Sequence, residues 1–299
     1  MGAESPTEVT IIGLGGMGSA LAESLLKHSY KISVCNRSAE KADSLVSSGA
    51  VFVADVAAAL AASPTTIFCV SDHQTSMRIL AADGAASASH GRDLVQLSTM
   101  TSVESLELGD WAKRAGANYL DGQILSYADD IREGRGNIVC SGQKQLFDKL
   151  KPLLTDMAGN TYHVGERTGA APAFDKAHLA WALGNYLVFL QAAAMCEHSG
   201  VDLRMWCDYN LRHLKGGAVN REIRILADQI CSRSYDKGLD ATMDVWKNAI
   251  DKTIEESDSI GFKNSHLGRL SELTNNAIDS GKGGKEIGIL FELIKQEIQ

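Results

Sequence analysis

Glycines at positions 13, 15 and 18 stand in the run Gly13-Leu14-Gly15-Gly16-Met17-Gly18. The apolar, β-branched segment Glu8-Val9-Thr10-Ile11-Ile12 leads directly into it, and Ser19-Ala20-Leu21 opens a helical pattern directly after it. In such a turn the first glycine makes the tight bend. The second lets a diphosphate approach the backbone, and the third lets helix and strand pack closely. The diphosphate then rests on a helix N-terminus, where free N–H groups and the macrodipole attract an anion. The glycine spacing alone is a weak signal. A strand before it, a helix after it and a second strand about 20 residues on make it a dinucleotide site. That second strand ends at Cys35-Asn36-Arg37-Ser38. An acid there would bind the ribose 2′-hydroxyl of NADH. Arg37 instead offers a guanidinium fork suited to a 2′-phosphate, Ser38 adds a hydroxyl, and Lys41 adds a charge one turn into the next helix. The expected cofactor is therefore NADPH. The plainer alternative is that Arg37 is a solvated cation and Ser38 only a helix N-cap.

Loops at the carboxyl ends of parallel strands face the bound ligand. Val70-Ser71-Asp72-His73, after the fourth strand, is expected to lie along the ribose and nicotinamide. Ser98 and Thr99, after the fifth strand, are expected to approach the nicotinamide, and Thr99 the substrate. Tyr127, Trp206 and Tyr209 are candidate pocket walls, although an aromatic residue on a helix is more often core. Asp129-Asp130 with Arg132-Glu133 reads as a solvated loop.

The elements that must position these residues fall into two parts. Short apolar runs at Val9–Ile12, Lys31–Cys35, Ala50–Val53, Thr65–Val70, Asp93–Leu97, Ala117–Leu120 and Asn137–Cys140 alternate with helical segments. This alternation predicts an α/β domain, a parallel sheet with helices on both faces. Beyond about Ala170 no strand is evident. A long helix is predicted over Phe174–His198, followed by helical stretches at Arg204–Leu214, Glu222–Arg233, Asp240–Ser257, Lys263–Ser280 and Gly284–Ile298. The expected division is a cofactor domain over residues 1–166 and an all-helical domain over 167–299.

A net charge of −8 argues against nucleic acid or an anionic membrane as partner, since both need a basic surface. No apolar run approaches the roughly 20 residues of a transmembrane helix, and the N-terminus shows no secretory pattern. The six cysteines form no CxxC pair and no zinc spacing with histidine. They read as reduced and structural, with no metal site, and a cytoplasmic setting is expected.

The Gly13–Gly18 run followed by Asn36-Arg37-Ser38 resembles the β-hydroxyacid dehydrogenase superfamily, and within it the imine reductases and reductive aminases. The resemblance continues through Asp121-Gly122, Gly136–Gly142, Phe147–Pro152 and the turn at Gly165–Gly169. It implies a Rossmann domain, a long interdomain helix and a helical C-terminal domain exchanged in a homodimer. It also implies an active site between one subunit's cofactor domain and the other's helices. Hydroxyacid dehydrogenases of the superfamily carry a catalytic lysine on the long helix, six residues after a glycine, with an asparagine four residues later. Counting from Gly169, those positions hold Asp175 and Leu179. A register one residue longer places Lys176 and Ala180 there, so neither register restores the hydroxyacid pair. Many imine reductases carry an aspartate at this position, and the resemblance assigns Asp175 as catalytic.

A carboxyl group suits a C=N substrate. Protonated, it is a general acid toward the imine nitrogen; ionised, it pairs with an iminium. Leu179 then contributes an apolar wall. The implied activity is NADPH-dependent reduction of imines, preformed cyclic ones above all. Some fungal reductive aminases carry a tyrosine and an asparagine where this chain has Leu183 and Thr99, which weighs against coupling a free carbonyl with an amine. Two alternatives stand beside this reading: a hydroxyacid dehydrogenase with altered catalytic residues, and an NADPH-binding protein without turnover.

Overall fold

The computed structural model describes residues 8–214, 225–226, 228–236, 242–259, 261 and 265–296. Strand β1 (Val9–Ile12) is buried at every residue, as expected of a strand covered on both faces. Its neighbours are β2 (Ile32–Cys35) and β4 (Thr65–Phe68), both parallel to it. The short β3 (Val51–Phe52) flanks β2, and β5 (Asp93–Gln96) and β6 (Asn118–Ile124) continue beyond β4, all in parallel. With β7 (Gly136–Ser141) and β8 (Gly159–Gly165) beyond β6, the full order is β3-β2-β1-β4-β5-β6-β7-β8.

Successive strand residues point to opposite faces, and the two faces carry separate cores. Ile11, Ile67, Val95 and Leu120 pack with Leu21 and Leu25 of α1 (Gly16–Lys27) and with Leu150 and Leu154 of α8 (Lys144–Ala158). Their chain neighbours Ile12, Phe68 and Leu94 pack on the other side. There they meet Leu60 of α3 (Val56–Ala62), Leu80 of α4 (His73–Leu80) and Leu108 of α6 (Ser102–Ala115).

The sheet departs from the sequence expectation in two ways. The pair β6–β7 (Gly136–Ser141) is antiparallel. The link between them, residues 125–135, is too short for the crossover of a dozen or more residues that a parallel return needs. An eighth strand, β8 (Gly159–Gly165), pairs in parallel with β7. Its alternating half-buried pattern has little of the apolar character that marks the others. Within the 125–135 link, the expected solvated loop is the short helix α7 (Ala128–Arg132). The Asp130 carboxylate caps it by accepting from the Tyr127 N–H, and Arg132 ties it to Glu23 of α1 at 2.8 Å.

The long helix α9 runs from Ala170 to His198, starting four residues before its expected position. The chain divides within it into two compact units, Met1–Trp181 and Ala182–Gln299. In the second unit the described elements are helical: α10 (Leu203–Leu214), α11 (Met243–Ser259), α12 (Ser265–Ala277), a π-type turn at Ile278–Lys282 and α13 (Leu290–Gln296). Tyr235, Met243, Leu273, Ala277, Ile289 and Leu290 form its buried core. Of the helix expected over Glu222–Arg233, residues 225–226 and 228–232 are helical, whereas 222–224 and 227 lie outside the described residues. Among the described residues, no helix is long and apolar enough to cross a membrane. All six cysteines are free, and no group of His, Cys, Asp or Glu among the described residues is arranged to hold a metal ion.

Candidate active site

The Gly13–Gly18 turn is built as the residue types require. Gly13 has φ +102°, and its N–H donates to the Cys35 carbonyl at 2.9 Å. A Cβ on Gly13 would lie 2.3 Å from the Cys69 carbonyl oxygen, and one on Gly18 would lie 1.9 Å from the Gly13 carbonyl oxygen. These two glycines lock strand, turn and helix together. A Cβ on Gly15 or Gly16 would meet nothing within 4 Å, so the middle of the turn opens onto free space. Gly15 is the N-cap of α1, so the helix's first N–H groups lie at that opening.

The space is a cavity of about 820 Å³. Gly13 through Gly18 form one wall, and Asn36, Arg37, Ser38 and Lys41 form the second. The third consists of Val70, Ser71, Asp72, Thr75 and Arg78. Asn36 joins the first two: its Oδ1 accepts from the Leu14 N–H at 3.0 Å, and its Nδ2 donates to the Ser38 carbonyl at 2.9 Å. Arg37 and Lys41 are exposed, with their cationic heads free to meet a ligand. A turn with room for a diphosphate and two cations beside the end of β2 fits the dinucleotide phosphate that the sequence predicts.

The third wall is ordered by a chain of polar contacts that sequence reasoning left unread. Asp72 caps α4 by accepting from the Thr75 N–H at 2.7 Å, which holds its carboxyl below the usual range. The Thr75 hydroxyl meets Ser71 and accepts from Arg78 Nη2 at 2.8 Å. Thr75, Arg78, Ile79 and Ala82 thus face the cavity from α4 and the turn after it. Their spacing of three and four residues was the available signal.

Ser98 does not line the cavity. It is buried, and its Oγ accepts from the Val70 N–H at 2.9 Å, so it positions the third wall from beneath. Gln96 and Gln123 support it, Gln96 Oε1 accepting from the Ser98 N–H and Gln123 Nε2 donating to its carbonyl. Thr99 is exposed and is not a cavity wall. Tyr127 is 84% exposed at the N-cap of α7 and is likewise not a wall. Trp206 packs on Phe189 within the second unit, with ring centroids 5.1 Å apart, and Tyr209 of the same helix is exposed. The Leu179 side chain lies outside the described residues.

Asp175 sits in the first turns of α9 and is only 6% exposed. Its Oδ2 accepts from Lys176 Nζ at 2.7 Å, so the two residues that competed for one position in the sequence form an ion pair. Asp175 is not a wall of the cofactor cavity. The turn that launches α9 is fastened to the sheet: Asp121 Oδ2 accepts from the Gly169 N–H at 3.0 Å, and Ser102 Oγ donates to the Gly169 carbonyl at 2.9 Å.

Residues 8–165 match the NAD binding domain of 6-phosphogluconate dehydrogenase. Residues 167–296 match the C-terminal domain of NADPH-dependent reductive aminase-like proteins. The chain belongs to the imine reductase and reductive aminase family. Among its relatives is the NADPH-dependent reductive aminase of Aspergillus oryzae, 27% identical over 96% of this chain and 97% of the relative. A V8 variant of the imine reductase from Myxococcus stipitatus, solved with NAD+, superposes with a TM-score of 0.87 at 25% identity, covering 97% of this chain and all of that one. The reductive aminase from Aspergillus terreus, solved with NADPH and ethyl levulinate, superposes with a TM-score of 0.80 at 29% identity and the same coverage. These similarities extend over both halves of this imine reductase-family chain.

Proposed function

We propose that the protein reduces preformed cyclic imines or iminium ions to amines with NADPH, with Asp175 as the residue that meets the substrate nitrogen. Family membership supports the coarser statement, a nicotinamide-dependent oxidoreductase acting on C=N bonds. NADPH supplies the hydride. Arg37, Ser38 and Lys41 would hold its 2′-phosphate, and the Gly13–Gly18 turn its diphosphate. The observation that carries the finer reading is Asp175, a nearly buried carboxyl at the helix position where hydroxyacid dehydrogenases of the superfamily keep a lysine. A lysine there would repel an iminium, whereas a carboxylate attracts it and holds it in a dry site where the attraction is strong. The domain-swapped homodimer belongs to the same proposal and supplies the substrate side of the site from a second copy.

The test is NADPH oxidation with 1-pyrroline-type cyclic imines, run beside a 3-hydroxyacid with NADP+. Imine-dependent oxidation is expected and acid-dependent reduction is not. Asp175→Asn keeps the shape and removes both roles of the carboxyl, and turnover is expected to fall 100-fold or more, the scale of a lost charge-stabilising group. Near-normal imine turnover by that variant would overturn the assignment.

A further inference from the structure

We propose that Asp121 is a positioning residue for the reaction: its buried carboxylate grips the start of the helix that carries Asp175 and so sets where the Asp175 carboxyl stands. The inference rests on the Asp175 reading given above.

Asp121 lies on β6 and is fully buried. One oxygen, Oδ2, accepts from the Gly169 N–H at 3.0 Å and from Ser141 Oγ at 3.2 Å. Ser141 Oγ in turn accepts from the Ala171 N–H at 2.9 Å. The carboxylate and the serine together satisfy two of the N–H groups that a helix leaves open at its start. They come from the sheet rather than from the local sequence, which offers Gly169 and alanines where a capping side chain would stand. The charge suits the place, because the N-terminus of α9 presents a positive dipole end to an anion.

The grip is reinforced from α6, where Ser102 Oγ donates to the Gly169 carbonyl. Gly169 has φ +90°, and a Cβ there would press on the Ser102 carbonyl oxygen at 3.0 Å. Asp175 follows Ala171 by four residues, about one helical turn. A shift of the first turn therefore moves the Asp175 carboxyl by a similar amount, and a displacement near 1 Å at a reacting group costs about 100-fold in rate.

A buried anion is an unusual choice for a purely architectural cap. Burial raises the Asp121 carboxyl to about 6, while the Ser105 and Ser141 hydroxyls and the Gly169 and Gly122 N–H groups pull it back. The other titratable groups facing it are Tyr119 on its own strand and Cys140 on β7, both raised by burial and neutral throughout the acid range. Glu104, on the α6 turn that carries Ser105, is held low by Thr101 and stays charged. Lys176, on α9, is paired with Asp175. Asp121 is thus the group of this cluster that changes charge near pH 6, and its protonation weakens the grip.

The experiment compares Asp121→Asn, Asp121→Ala and Asp175→Asn in the full-length protein, measuring kcat, KM for a cyclic imine, Kd for NADPH and the pH profile of kcat. Asparagine keeps the shape and an oxygen for Gly169 and Ser141, but it carries no charge. For Asp121→Asn, NADPH Kd should stay within twofold, kcat should drop about 10-fold, and the loss of kcat below about pH 6 expected of the wild type should be absent. For Asp121→Ala, kcat should drop about 100-fold with NADPH affinity retained. Wild-type kcat and an unchanged acid limb in Asp121→Asn, alongside an inactive Asp175→Asn, would overturn this inference and leave the Asp175 reading standing. An active Asp175→Asn would overturn both. Loss of kcat and NADPH binding together in Asp121→Ala, matched by a fall in folded fraction, would reduce Asp121 to a structural cap and also overturn it.

Discussion

Two glycines three residues apart should fail in different ways when each gains a methyl group. In Gly18→Ala the new Cβ would stand 1.9 Å from the Gly13 carbonyl oxygen, so something must move by roughly 1.5 Å to reach ordinary contact distance. Gly13 has no room to retreat, because its own Cβ position is 2.3 Å from the Cys69 carbonyl on the β4 side. The strain falls on the packing of α1 against β1 and β4, at an overpacking cost of about 1–3 kcal/mol, or a Tm lower by about 2–12 °C. Gly15→Ala meets nothing within 4 Å, and the N-cap change costs at most about 1 kcal/mol. Its methyl group instead stands where the diphosphate must approach. Losing one hydrogen bond to a charged group, worth about 1.5–3 kcal/mol, raises the NADPH Kd about 10- to 150-fold. Fluorescence titration with NADPH and a thermal melt of the ligand-free protein separate the two effects. Gly15→Ala should lose affinity with little change in Tm, and Gly18→Ala should lose Tm first. A Gly18→Ala protein that melts and binds as the wild type does, or a Gly15→Ala protein that loses as much Tm, would refute the account of the turn.

Arg37→Ala should raise the KM for NADPH roughly 10-fold, near the lower end for a charge-assisted contact because Arg37 is exposed and Lys41 shares the anion. The KM for NADH should be nearly unchanged, and an equal loss for both cofactors would show that Arg37 does not read the 2′-phosphate. Asp121 also has a stability signature independent of catalysis. Its carboxyl is raised from 3.8 to about 6 on folding, so its contribution to stability is present below about pH 4 and is lost as pH rises through about 6. Above that, the charged form costs about 3 kcal/mol relative to the protonated one. Urea unfolding at pH 4 and pH 7.5 should therefore show Asp121→Asn gaining about 3 kcal/mol on the wild type between the two, and a difference that is the same at both pH values would contradict the burial argument. Such a cost is tolerated where function needs a strained group.

The cofactor half of the site was legible because its chemistry is local. A glycine is demanded wherever a neighbouring backbone comes too close for a Cβ, and Gly13 and Gly18 meet that condition within one turn. The two-faced strands announced themselves as short, β-branched runs, and β1 and β4 are buried at every residue. Legibility failed where contacts are made over long sequence distances. Arg78 enters the cavity only because β4 lies beside β1, and the support that Ser98 gives the third wall comes from its hydroxyl meeting Val70, 28 residues away. The antiparallel direction of β7 depends on the length of a link, and β8 depends on pairing and carries little apolar signature of its own.

By itself the sequence pointed to a dinucleotide turn after β1 and placed Arg37 where an acid would select the other cofactor; through its family resemblance it put a carboxyl at position 175 where related dehydrogenases keep a lysine. The first two follow from residue type at a short, fixed spacing along one chain segment, and the third from the resemblance to the β-hydroxyacid dehydrogenase superfamily. Only the tertiary structure decided that Asp175 is almost buried and paired with Lys176, and that Asp121 and Ser141 hold the helix beneath it from 48 and 30 residues away. Burial and long-range hydrogen bonding are properties of packed elements, and no local spacing encodes them.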